Sequence, residues 1–462
     1  MECWYWKIPS TIDLNSILAK DPPSFKTKYK VDHFYYFIEL LTIKMEYNDL
    51  DSNKGFINLS AELMQKVVRN YKEYLEYLIR NKIVRTDKKY IVGRKSMGYI
   101  LNGLKYNSEV ARIEIMDSNI RKNRAKEFRK NELDKKNVSS KYSYLTKWFN
   151  DKLQIDTEGA NDKIEELFPE PKGGIKGARR GKASKTTKKY SAKLAIKKIE
   201  GGDFYYKVDD NVGRFHSNLT NIKKELRHYI TYDGQTLVNV DIKNSQPLLS
   251  SVLFDPSFYT NKKKGQRVNL YDFPSLFQYL VNNNKYTYTH TIIMLVKTLQ
   301  KLDNKEVKKY LRMAKSGNFY EHLSKAMYPK QAFDKGRMKE LTYKVFFSSN
   351  KSIQGMNNWT KKEFKWKFKG LYKMFSAIKR KNHRALSHIL QRIESEIMIQ
   401  NVCKRISLEQ PTLPIFTIHD SVLTTDGNQE YVAKIIKEEA FKLTGLKVSL
   451  GIEILNQNKS CK

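Results

Sequence analysis

Apolar and polar positions keep three different rhythms along the 462 residues. From residue 55 to 103 the rhythm is first helical. Ser60 is a candidate N-cap before a short helix, and Tyr71, Tyr74, Leu75 and Leu78 mark the apolar stripe of a second. "KIVRTDKKYIV" then alternates with period two, which predicts a hairpin around Thr86 and Asp87. Residues 107–165 read as helical and strongly charged, with "IRKNRAKEFRKNELDKK" as a solvated face. "FPEPKGGIKGARRGKASKTTKK", Phe168 to Lys189, combines Pro, Gly and Ser with a basic run and has few apolar residues. It predicts a flexible linker that orders on a polyanion. From about residue 190 short apolar strands mix with long helices, a mixed α/β pattern, and no internal repeat is visible.

Two of those strands run into a carboxylate. In "TLVNVDIKNSQPLLSSVLF" the run Leu237, Val238 and Val240 is closed by Asp241. In "IFTIHDSVLTTD" two strand-like runs flank His419, Asp420 and Ser421. Strand interiors disfavour Asp, and hairpin tips usually carry Gly or Asn. The plain reading of either site is a turn Asp bonding nearby backbone N–H groups. The pair allows another. If the two strands are neighbours, Asp241 and Asp420 can hold two divalent cations ~3.5–4 Å apart, the arrangement for in-line phosphoryl displacement. Between them, "FDKGRMKELTYKVFFSSN" spaces Lys335, Lys339, Tyr343 and Phe347 four apart on one face of a predicted helix. Two cations followed by two rings suit a triphosphate and then a base. An amphipathic helix with its aromatics in the core produces the same spacing.

Composition favours the chemical reading. Lys+Arg number 86 against 49 Asp+Glu, a formal net charge of +37, while hydrophobic residues at 40% are enough for real cores. An excess this large attracts polyanions, and nucleic acid is the partner it suits. Cys3, Cys403 and Cys461 lie too far apart for a zinc site or a disulfide framework. "MECWYWKIPS" lacks the basic start and apolar core of a signal peptide, and no run approaches the ~18–20 apolar residues of a membrane span. These features predict a soluble, cytoplasmic, nucleic-acid-associated protein with no membrane partner. A polyanion also gives the first rhythm a meaning. Two helices followed by a ribbon look like a winged helix, with Arg85, Lys88, Lys89 and Arg94 as its basic wing against duplex DNA. The alternative is a helical subdomain that touches only its own protein.

In order, "VDIKNSQP", the Lys335/Lys339/Tyr343/Phe347 stripe and "TIHDS" resemble motifs A, B and C of the family A DNA polymerases and of their relatives, the single-subunit phage-type RNA polymerases. "VGRFHSNLTNIKKELRHYI", Val212 to Ile230, is similar to the segment preceding motif A, and "LSHILQRIESEIMIQNV" to the helix that meets the duplex near the primer end. The resemblance covers residues 190–462. It implies that Asp241 and Asp420 are the catalytic pair binding two Mg²⁺ ions, with Mn²⁺ as an alternative. Lys339 then binds the incoming nucleoside triphosphate, Lys335 stands where the family usually has Arg, and Tyr343 stacks near the base. Arg214, Gln391 and His419 contact the template–primer DNA.

The sequence departs from the family at three further places. Ser421 follows the motif C Asp, as in the RNA polymerases, where DNA polymerases have Glu. Gln246 holds the gate position that is Glu in DNA polymerases and Gly in RNA polymerases, and it is bulky enough to block a 2′-OH. Phe347-Ser348 replaces the Tyr-Gly that ends motif B. No DxE exonuclease strand is found in the N-terminal part. The expected fold is a right-hand polymerase with a winged-helix-like module at 1–106, a thumb-like helical region and linker at 107–189, and palm and fingers at 190–462. The expected activity is that of a DNA polymerase without proofreading. A single-subunit RNA polymerase, an inactive nucleic-acid-binding replication initiator and use of an RNA template stay open.

Overall fold

A computed structural model describes residues 4–47, 56–91, 95–102, 109–169, 185–260, 267–273, 288–350 and 359–456. Its centre is an antiparallel sheet built around the strand Gln235–Ile242. That strand pairs on one edge with Ser421–Thr425 and on the other with Leu450–Leu455. Ile415–Ile418 lies outside Ser421–Thr425 as the other arm of a tight hairpin. At the far end of the central strand, Asp233 and Gly234 turn the chain back onto Ile230–Tyr232 with φ of 52° and 73°. Asp-Gly is the sequence that tolerates two successive positive φ values. Leu153–Ile155 completes the sheet beside Ile230–Tyr232. The sheet therefore reaches upstream of residue 190, into a region expected to be helical, because these three residues pair outward to cover an open edge.

Strand composition explains the sheet's place in the core. Leu237, Val238, Val240 and Ile242 are at most 1% exposed, and Ile415, Phe416, Val422 and Leu423 are equally buried. The helix Gln429–Thr444 lays Val432, Ala433, Ile435, Ile436 and Ala440 into the same core. So does the helix Ala385–Ser395, continued by a π-helical stretch Glu396–Cys403. Leu386, Ile389, Leu390, Ile393 and Ile397 form an apolar stripe along it and are fully buried there.

A second core holds the N-terminal part, from Trp6 to Ile120, and takes in Tyr190 from the helix Lys185–Glu200. Strand Tyr5–Pro9 pairs with Val110–Glu114, so this core runs past residue 106. The two expected helices are Ala61–Val67 and Tyr71–Arg80, with Tyr74, Leu75 and Leu78 buried. The ribbon differs from expectation. Val84–Thr86 pairs with Gly98–Leu101, and Ile57–Asn58 adds to the latter as a third strand. Thr86 and Asp87 therefore begin a long connection and are not the tip of a hairpin. Asp87 organises that connection, accepting from the backbone N–H groups of Lys89 and Gly98 and from Lys95 Nζ. Arg94 lies outside the described residues, as does most of the expected linker, residues 170–184. The charged segment forms the long helix Ser118–Lys141, exposed over most of its length. No described helix is long and apolar enough to cross a membrane.

Candidate active site

The two strand-end carboxylates meet. Asp241 lies directly opposite Ser421 on one neighbouring strand and Gly451 on the other. The Ile242 N–H donates to the Asp420 carbonyl at 3.2 Å, which brings the hairpin tip over the end of the central strand. His419 makes the turn with φ of 57°, a left-handed conformation that a residue without a β-branch can adopt at modest cost. On the opposite edge a Cβ at position 451 would come 2.5 Å from Asp241 Oδ1, so any residue larger than glycine would displace that carboxylate. Asp241 and Asp420 thus both line one cavity of about 540 Å³.

Past the strand, Asn244 turns the chain with φ of 55° and ties its side-chain amide to the Gly317 carbonyl at 2.7 Å. The short helix Ser245–Leu249 starts at once. Pro247 sits in its first turn, where the missing N–H costs no intrahelical bond, which accounts for "KNSQP".

The helix Lys335–Phe347 forms the opposite wall. Its N-cap Asp334 accepts from the Arg337 N–H at 2.9 Å. Met338, Leu341, Val345 and Phe346 anchor it in the core. Lys335, Lys339, Tyr343 and Phe347 all line the cavity. Tyr343 is 58% exposed, so the stripe is not the buried face of an amphipathic helix. The rings of Tyr343 and Phe347 lie 5.1 Å apart. At the C-terminal end two buried lysines cap the exposed carbonyls: Lys379 Nζ donates to Val345 and Ser348, and Lys361 Nζ to Ser349 and the Ser348 hydroxyl.

A buried acid that sequence reasoning missed joins the walls. Glu394, 1% exposed, accepts from Arg214 Nε at 3.0 Å, Ser245 Oγ at 2.9 Å and Gln246 Nε2 at 2.5 Å. Its signal was present in the sequence: it sits on the apolar stripe, four residues after Leu390, where a charged side chain must find a partner. Arg214 is that partner. The structure pairs its guanidinium with Glu394 through Nε and Nη2. His419 and Gln391 do not line the cavity. Burial and the Arg214 charge hold the His419 imidazole neutral, with its pKa down to about 4. Gln391 lies half-buried one helical turn before Glu394. Of the N-terminal cations, Arg85, Lys88 and Lys89 are exposed and belong to the other core's surface.

Electrostatics bear on the metals. Burial, followed by the Glu394 carboxylate, pushes Asp420 well above the usual carboxylate range. Burial and Glu453 raise Asp241. Two acids crowded in this way are relieved by a cation between them. Among the described residues no group of three or more His, Cys, Asp or Glu is arranged to hold a metal. The two carboxylates lining the cavity are the kind of donor set that commonly holds Mg²⁺, with substrate phosphates and water completing the shell.

No family model matches the sequence, and no curated protein matches it. Among solved structures, the chain is similar to the POL domain of Pol1 from M. smegmatis in complex with DNA primer-template and dNTP. The identity is 10% and the TM-score 0.32, with 68% of each chain covered.

Proposed function

We propose that this protein is a template-directed nucleotidyltransferase, a DNA polymerase of the family A type without proofreading. The observation that carries the reading is one cavity lined by Asp241, Asp420, Lys335, Lys339, Tyr343 and Phe347. Asp241 and Asp420 would hold two divalent cations, which when bound would supply Lewis-acid activation of a primer 3′-hydroxyl and charge neutralisation for the leaving pyrophosphate. Lys335 and Lys339 bind the triphosphate as point charges. The rings of Tyr343 and Phe347 meet the base one and two turns further along the helix. Gln246, held by Glu394, stands against the C2′ edge of the sugar and disfavours a ribonucleotide. The exposed Arg85, Lys88 and Lys89 grip DNA through the N-terminal winged-helix-like module, where bonds to phosphates position the protein without reading sequence.

The test is primer extension by the full chain on DNA and RNA templates, with deoxynucleotides and ribonucleotides and with Mg²⁺ or Mn²⁺. Template-dependent addition of deoxynucleotides is expected. Synthesis under none of these conditions, with nucleic-acid binding retained, replaces this reading with a binding protein built on a polymerase-like body.

A further inference from the structure

We propose that the outer face of the helix Trp359–Lys367, centred on Trp366, is a stacking platform for single-stranded nucleic acid. The helix has two opposed faces. Lys361, Phe364 and Phe368, at spacings of three and four, are at most 2% exposed and turn inward. The rings of Phe364 and Phe368 sit 5.0 Å apart in the core. Lys362, Lys365 and Trp366 share the opposite face by the same period, and Lys367 and Lys369 are exposed beside them. Trp366 is 84% exposed, whereas Trp6 and Trp148 are 0% and 8% exposed. A large ring left in water among ammonium groups is a surface prepared for a partner that offers both a π-face and negative charge.

Charge selects that partner. Glu363, the helix's one carboxylate, stands against four lysines on the helix and accepts from the Tyr328 hydroxyl, so the helix keeps a positive excess. Tyr328 also carries the Arg337 guanidinium over its ring at 4.2 Å, which ties this helix to the start of the helix bearing Lys335 and Lys339. A second copy of the chain would set lysine against lysine. An anionic membrane would call for an apolar face broader than one ring. A duplex keeps its base faces covered by stacking. A single strand supplies unstacked bases and a continuous run of phosphates, and aromatic stacking with cations alongside is how such strands are held without sequence preference. The platform stands whether or not the cavity is catalytic. If the proposed function holds, the strand it receives is the unpaired template.

The experiment measures binding of a fluorescent oligothymidylate to the full chain at fixed salt, for the wild type, W366A and W366F. An abasic phosphodiester strand of equal length and phosphatidylserine vesicles serve as parallel probes. W366A is expected to weaken oligothymidylate binding roughly 5- to 100-fold. W366F retains most of the affinity, the abasic strand binds wild type and W366A alike, and the thermal midpoint is unchanged because so exposed a ring adds little to folding. Equal oligothymidylate affinity for W366A and wild type overturns the proposal. So does an equal loss for the abasic strand, or a loss seen only with vesicles. Primer extension is read separately. Trp366-dependent binding in a protein that synthesises nothing supports the platform and rejects the catalytic reading.

Discussion

Gln246 donates its side-chain amide to the buried Glu394 carboxylate at 2.5 Å, so a residue lining the cavity is held by one 148 positions away. The same carboxylate takes Arg214 and Ser245. Removing it leaves a guanidinium, an amide and a hydroxyl without their acceptor. Breaking one side of a buried ion pair costs ~3–5 kcal/mol. Glu394→Leu is expected to lower stability by about that amount, read from denaturant midpoints, and Glu394→Gln by less. A Leu variant within about 0.5 kcal/mol of wild type, the range of a neutral surface change, shows that Glu394 tethers nothing.

The carboxylate pair should be indispensable to chemistry and dispensable to binding. Asp241→Ala and Asp420→Ala are each expected to abolish nucleotide addition with Mg²⁺ and with Mn²⁺. Affinity for primer–template should stay close to wild type, since neither acid attracts phosphate. Retained synthesis in either variant removes that residue from the catalytic pair.

Sugar choice isolates Gln246. A hydroxyl forced against it would push its amide off Glu394, and a buried polar group left unpaired costs ~1–3 kcal/mol, very roughly tenfold to a hundredfold. Gln246→Gly should admit ribonucleotides with little loss of deoxynucleotide use, measured as kcat/KM for one nucleotide pair in both proteins. A wild-type preference for ribonucleotides would instead promote the RNA polymerase alternative.

Lys379 gives a pH signature. Burial and the nearby Lys361 charge lower its pKa from 10.5 to about 7. Between those two values the unfolded chain holds a proton that the folded chain has released. Stability from this group therefore rises as the pH climbs from about 7 toward 10.5, and is flat below about 7. Lys379→Met should flatten the rise. Urea midpoints of both proteins at neutral and alkaline pH check this, and parallel pH profiles would count against the buried, depressed lysine.

Charge reversal on the N-terminal ribbon tests the module in the intact chain. Replacing Arg85, Lys88 and Lys89 by Glu should weaken duplex DNA binding at every sequence. The salt slope should fall by about 0.9 for each phosphate that is no longer neutralised. An unchanged slope assigns the module a structural role.

The sequence by itself determined what depends on neighbours along the chain. Strand runs ending at Asp241 and Asp420, and cations and rings four apart from Lys335 to Phe347, follow from backbone periodicity. Those residues line one cavity. Tertiary structure alone decided which distant elements meet. The short run Leu153–Ile155 has too few residues for its pattern to announce a strand, and it becomes one because the sheet edge beside Ile230–Tyr232 is open. Val84–Thr86 alternates as expected, yet its partner is Gly98–Leu101, because pairing is chosen by the packing of side chains from both strands against a common core. Arg214 enters the sequence reading as a nucleic-acid contact by resemblance alone, and the fold places the buried Glu394 beside it. Desolvation makes an unpaired buried carboxylate costly, so the fold joins the two across 180 positions of sequence.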